Sequence, residues 1–387
     1  MVKKGKSTLT PRLRFPEFRK AEGWELSTIG NLISLEYGES LPEHSRRSGP
    51  IPVMGSNGII GYHDEELIKG PAIVIGRKGS VGRVNWVESN CFPIDTTFYV
   101  RNKEPSTNLI QFLHPLLRNS KLEHRRDPGA VPGLNRNEVH SLAVAIPKAS
   151  EQQKIADCLT SLDACIAAQG RKVESLKALK RGLMQALFPR KGETIPRLRF
   201  PEFRDAHAWS RLRVGDVAAV KASGDLDSTV FSVARSGSFI HPVYSNGVER
   251  DGLYGYYSRP EYPKGSVTIT ARGTLGIAFY RDCDFMGIGR LVVVRDLIKV
   301  NPYFLMVCWN HLAEIPHEVT SIPQLTAIAV RTIILPIPGL DEQEKIADCL
   351  STLDARIAAE AGKLGALKNH KNGLMQQLFP SPEDVEG

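Results

Sequence analysis

The segment EQQKIADCLTSLDACIAAQGRKVESLKALKRGLMQALF, Glu151 to Phe188, returns as EQEKIADCLSTLDARIAAEAGKLGALKNHKNGLMQQLF, Glu342 to Phe379, with 24 of 38 positions identical. In the first copy apolar residues at Ile155, Leu159, Leu162, Ile166, Val173, Leu176, Leu183 and Leu187 follow steps of four and three, the period of a helix with one apolar seam. The second copy places Ile346, Leu350, Leu353, Ile357, Leu364, Leu367, Leu374 and Leu378 in the same register. Polar residues interrupt both seams at matching places, Gln169 and Lys180 in one, Glu360 and Lys371 in the other. Pro147 and Pro338 precede the segments and Pro189 and Pro380 end them, as helix boundary chemistry expects. At 1.5 Å per residue such a helix is roughly 57 Å long, several times the ordinary length. A domain of about 130 residues, with a radius of gyration of roughly 14 Å, offers no face that long. The two helices are therefore expected to pair with each other, antiparallel under a pseudo-twofold relation; each helix packing only on its own domain is the alternative. Gly182 and Gly373 recur at equivalent sites, where close helix contact is expected and a tolerated kink is the alternative.

The duplication extends outward from the helices. The nonapeptide Pro11 to Arg19, PRLRFPEFR, recurs identically from Pro196 to Arg204, and Trp24 and Gly30 find Trp209 and Gly215 at the same offset. Between these matched ends the two middles share only scattered marks, such as Ser56-Asn57-Gly58 against Ser245-Asn246-Gly247. The expected fold is α+β, with two pseudo-symmetric globular domains separated by two long antiparallel coiled-coil helices. Its boundaries are 11–150 for the first domain, 151–189 for the central helix, 190–340 for the second domain and 341–380 for the last helix. Matched ends must pair with each other or with identical partners; unlike middles are free to recognise different things.

Composition narrows the function classes. A hydrophobic fraction of 42% with 24% charged residues is that of a globular protein, and no apolar run nears the roughly 20 residues that span a bilayer. Met1 to Lys6 has no apolar stretch behind it, so a cytoplasmic location and no membrane partner are expected. The net charge of +8 is concentrated in residues 1–20 and 151–204, leaving both globular stretches near neutral, so phosphate contact has to come from local clusters. Six cysteines form no CxxC pair, which argues against structural zinc and for packing roles, shared by Cys158 and Cys349. No GxxxxGK followed by Ser or Thr occurs, so ATP hydrolysis is not expected of this chain. Asn301-Pro302-Tyr303-Phe304 lacks the second proline of the amino-methyltransferase box, and no glycine-rich methyl-donor motif precedes it. His63-Asp64-Glu65-Glu66 reads as a solvated turn.

In the middles, short strand-like runs alternate with glycine turns, around what is expected to be a strongly bent sheet, with short helices at Leu109 to Ser120 and Asn301 to His311. Arg77, Lys78, Ser80 and Arg83, like Arg272 and Thr274 in the second copy, sit on glycine turns where backbone can approach a ligand closely. A structural hairpin is the competing account. Ser56 and Asn57, with Tyr244, Ser245 and Asn246, supply small amide and hydroxyl groups suited to adenine edges, and equally suited to forming turns. Asn135 and Arg136 in the loop from Pro132, with Gln324 and Thr326 after Pro323, are further polar candidates. The cluster Lys121, His124, Arg125 and Arg126 reads as a solvated helix end.

Each unit opens with Trp-x-x-x-x-Ile/Val-Gly (Trp24 to Gly30, Trp209 to Gly215) and closes its middle with Ile-Pro. The helix then begins Glu151-Gln152-Gln153-Lys154-Ile155-Ala156, or Glu342-Gln343-Glu344-Lys345-Ile346-Ala347, and ends Gly-Leu-Met-Gln-x-Leu-Phe-Pro. Together these motifs resemble the specificity subunit of type I restriction-modification enzymes from Pro11 to Pro380. The resemblance implies that each middle is a target-recognition domain gripping one half of a bipartite asymmetric site in double-stranded DNA. It also implies that helix length sets the unread spacer, and that two modification (methyltransferase) subunits and the restriction subunits dock on the chain. S-adenosylmethionine, ATP and Mg are then expected on those partners and no cofactor in this chain, which is not itself an enzyme. Ile155, Leu159, Leu162, Ile166, Leu176, Leu183, Ile346, Leu350, Leu353, Ile357, Leu367 and Leu374 are the expected helix-pairing and subunit-contact residues. A helical scaffold binding other proteins or RNA is the alternative.

Overall fold

The computed structural model describes residues 8–125, 133–315 and 324–380, so Arg126, Pro132 and Pro323 lie outside the described residues. Two compact units form, one from residues 1–170 with 362–387, the other from residues 171–361.

In the first unit, an all-antiparallel sheet runs in the order Ile33–Tyr37, Thr97–Asn102, Ala72–Gly76, Val84–Val87. Ala72–Gly76 is central and buried at every position, which is why its sequence is an unbroken apolar run rather than an alternating one. A second sheet orders Gly58–His63, Ile51–Gly55 and Phe92–Pro93, the last pair parallel. A third joins Thr8–Leu9, Trp24–Thr28 and Ala143–Ile146. The single bent sheet expected from sequence is thus several small sheets, because a register shift at Val53/Met54 and the glycine turns end each ladder after a few residues. The helix Ile110–Asn119 covers the core through Phe112, Leu113, Leu116 and Leu117.

The second unit repeats this plan. Its main sheet, Ala219–Ala222, Val292–Arg295, Ser266–Ile269, Ala278–Arg281, has the same strand order. The companion sheet gains a strand, Phe231–Ser232, in the stretch where the second copy is longer, and keeps the equivalent register shift at Val243/Tyr244. The helix Pro302–Leu312 takes the place of Ile110–Asn119, with Asn301 capping it by accepting from Phe304 N at 3.0 Å.

The long helices run Ala149–Leu187 and Leu340–Leu378, and each unit contains the first part of one and the last part of the other. In the first unit Ile155, Ala156 and Leu159 share a core with Met375, Leu378 and Phe379; Lys371 Nζ donates to Asp163 Oδ1, nearer the middle of both helices. Partner numbers fall as helix numbers rise, so the packing is antiparallel. The second unit mirrors it: Lys180 bonds both Asp354 oxygens at 2.6 and 2.7 Å, and Lys172 reaches Glu360 at 2.8 Å. Of the twelve seam residues, Ile155, Leu159, Ile346, Leu350 and Leu353 are buried, whereas Leu162, Ile166, Leu176, Leu183, Ile357, Leu367 and Leu374 are half-buried. The close contact expected at Gly182 and Gly373 is absent: among the described residues nothing lies within 4 Å of a Cβ built at either.

Candidate functional site

The matched motifs build the scaffold on which the site is carried. Arg14, from the first nonapeptide, donates through Nε and Nη2 to both carboxylate oxygens of Glu151 at 2.8 and 2.7 Å, and its remaining donors hold Ala21 O and Glu22 O. Trp24 Nε1 donates to the same carboxylate at 3.2 Å. Arg199 and Glu342 repeat the fork at 2.8 and 2.5 Å. Gln152 accepts from Leu109 N at 3.0 Å and donates to Thr107 O and Pro147 O; Gln343 makes the equivalent bonds to Asn301 N, Lys299 O and Pro338 O. The repeated Glu-Gln pair therefore locks each helix start to its own domain, a job that sequence periodicity could not show.

On the first scaffold, the loop between Ala72–Gly76 and Val84–Val87 turns through positive φ at Gly79 (76°) and Gly82 (77°). At Gly82 a Cβ would sit 2.3 Å from Leu122 and Glu123 backbone, so the turn is a packed hairpin that also displays its side chains. Arg77 Nε and Nη2 donate to Asp95 O at 3.2 and 2.8 Å; Arg77 N, Lys78 N and Ser56 Oγ all donate to Thr96 O, at 2.9, 3.1 and 2.8 Å. Arg83 donates to Asn57 Oδ1. Leu134 N donates to Arg77 O at 2.9 Å, which brings in Asn135 and Arg136. Asn135 Oδ1 accepts from Asn137 N at 2.9 Å and so caps the short helix Arg136–Ser141. Ser56, Asn57, Arg77, Lys78, Ser80, Arg83, Asn135 and Arg136 thus gather around one loop cluster. Tyr37, which sequence reasoning missed, lies beside it: the guanidinium carbons of Arg77 and Arg136 stand 5.2 and 5.4 Å from its ring centroid.

In the second unit Asn246 donates to Gly289 O and accepts from Ala271 N, both at 2.6 Å, so its amide fixes the turn that carries Tyr244 and Ser245. Leu325 N donates to Ala271 O at 3.0 Å, placing Gln324 within 3.4 Å of Arg272 Nη2. Thr326 caps the helix Ala327–Thr332 through Ala329 N at 3.1 Å, and the carbonyl of Thr274 accepts from Thr270. Arg281, which the sequence did not single out, is only 3% exposed and supports Tyr244: it donates to Thr268 Oγ1 and Asp251 O at 2.8 and 2.9 Å with its guanidinium carbon 3.5 Å from the Tyr244 ring centroid. Burial pulls its pKa down to about 10, so it stays cationic at neutral pH, and burial pushes Tyr244 up to about 12. A charged residue on an apolar strand was its only sequence signal.

The model of the type I restriction modification DNA specificity domain matches residues 21–178 and again 207–369, and the chain belongs to this family. It is 25% identical over 254 residues to a type I specificity subunit of Mycoplasma pneumoniae, covering 66% of each chain. It is 21% identical over 264 residues to the MjaX specificity subunit of Methanocaldococcus jannaschii, covering 64% of this chain and 60% of that one. The matches thus span about two thirds or less of these relatives' length. The fold resembles the crystal structure of an S subunit from M. genitalium, with TM-score 0.72 and 17% identity over 96% of this chain and 99% of that one.

Proposed function

We infer that the protein is the DNA-reading, non-catalytic subunit of a type I restriction-modification complex, and that its two units recognise the two unlike halves of a bipartite target. The observation that carries this reading is one scaffold built twice, clamped by Arg14–Glu151 and Arg199–Glu342, that presents different polar side chains from equivalent loops. Arg77, Lys78, Arg83 and Arg136 in the first unit, and Arg272 with Gln324 and Thr326 in the second, supply donors for phosphates and base edges. The repeated helices offer like surfaces to two modification subunits. Those subunits hold S-adenosylmethionine; the restriction subunits hold ATP and Mg and cleave. The complex acts in the cytoplasm, where its DNA is.

The full chain with its modification subunits should bind duplex DNA with a steep fall of log K against log salt, since every phosphate contact releases counterions. Replacing Arg77 and Lys78 with Ala should weaken one half-site by roughly 10-fold and leave the other intact. Salt-insensitive binding, or none, would leave a protein-assembling scaffold as the better account.

A further inference from the structure

We propose that Arg136, stacked on Tyr37, reads a guanine in the half-site bound by the first unit, and that this stack gives the first unit a base preference that the second lacks. The proposal rests on the DNA-reading function above.

Tyr37 ends the strand Ile33–Tyr37 and is 51% exposed, so its ring is open to a ligand. It pairs in register with Phe98, their centroids 5.0 Å apart. Arg77, the first guanidinium over this ring, is tied down by its two bonds to Asp95 O. Arg136, the second, makes no hydrogen bond or ion pair among the described residues, so its donors remain for a ligand while the stack orients it. An oriented planar fork matches the O6 and N7 acceptors of guanine, which a freely rotating lysine would not.

The second unit supplies the internal comparison. In its equivalent sheet the register pair matching Tyr37 and Phe98 is Ala222 and Val292. Its equivalent short helix, capped by Thr326 as the first is by Asn135, begins with Ala327 where the first begins with Arg136. Arg272 and Thr274 occupy the places of Lys78 and Ser80, while Ala271, whose carbonyl accepts from Leu325 N as that of Arg77 does from Leu134 N, stands where Arg77 stands. The scaffold therefore stands without the Tyr37–Arg136 stack, and a purely structural role does not account for it.

The test is the methylated motif in cells carrying the complete complex with wild-type chain, Arg136→Ala, Tyr37→Leu or Tyr37→Phe. The wild-type motif should hold a guanine in one half-site. Arg136→Ala and Tyr37→Leu should relax that position alone, preference dropping on the order of 10- to 100-fold, while Tyr37→Phe keeps it. Thermal midpoints of the purified complexes check folding, and Ala327 shows that alanine suits this helix start. An unchanged motif in Arg136→Ala, or an even loss of methylation with no change of motif, as a phosphate contact would give, overturns the proposal. A wild-type chain that directs no bipartite methylation would instead remove the DNA-reading function itself.

Discussion

The Arg14–Glu151 fork shows what a single pair does in this fold. Both side chains are nearly inaccessible, 6% and 4% exposed, and they join the repeated nonapeptide to the start of a helix 137 residues away. Removing one member leaves a buried charge without its partner, so Arg14→Ala should destabilise the first unit by about 3–5 kcal/mol, read by denaturant unfolding. A loss below about 1 kcal/mol would mean the clamp is incidental. His114 contributes a pH dependence. Burial foremost, then the charges of Arg118 and Lys371 against the opposing Asp163, holds its pKa down at about 4. An unfolded chain takes up this proton near pH 6.5 and the folded one does not. The stabilisation is therefore complete above pH 6.5 and is lost as the pH falls toward 4, by about 2–3 kcal/mol. The variant His114→Phe should lose less stability than wild type between pH 7 and 4.5, and parallel losses would contradict the assignment.

At the level of elements, the seam periodicity of Ile155 to Leu187 and Ile346 to Leu378 reads as two long helices, and long helices run over Ala149–Leu187 and Leu340–Leu378. The antiparallel packing followed from the repeat. What periodicity could not give is which polar groups cross the seam: Lys180 and Lys371 looked like interruptions and are ion-paired to Asp354 and Asp163. Nor could it show that Gly182 and Gly373 face open space. If the helices set the spacing of the two readers, seven residues inserted at equivalent points in both should lengthen the unread spacer by about 10 Å, or roughly three base pairs. The methylated motif of such a variant reports this directly, and an unchanged spacer would refute the ruler.

For the whole molecule, the duplication was legible from the sequence because the nonapeptide recurs identically and the long helices match at 24 of 38 positions. The architecture of the middles was legible only in outline. The strand at Ala72–Gly76 stood out by its apolar run and the helix at Pro302–Leu312 by its amphipathic pattern, whereas the division into several small sheets depends on bulges and turns that no period marks. The candidate readers are residue types on glycine turns, and among them Asn135, Thr326 and Asn246 build caps and turns. Tyr37 and Arg281 escaped notice because a lone aromatic or arginine in a strand carries no pattern of its own.

Two unlike readers on one duplicated scaffold would leave a distinct mark on the DNA they direct to methylation. Single-molecule sequencing of methylated DNA from cells whose modification subunits work with this chain alone tests for it most directly. The account predicts one asymmetric motif, two different specified half-sites flanking an unspecified spacer. A contiguous or palindromic motif would contradict it.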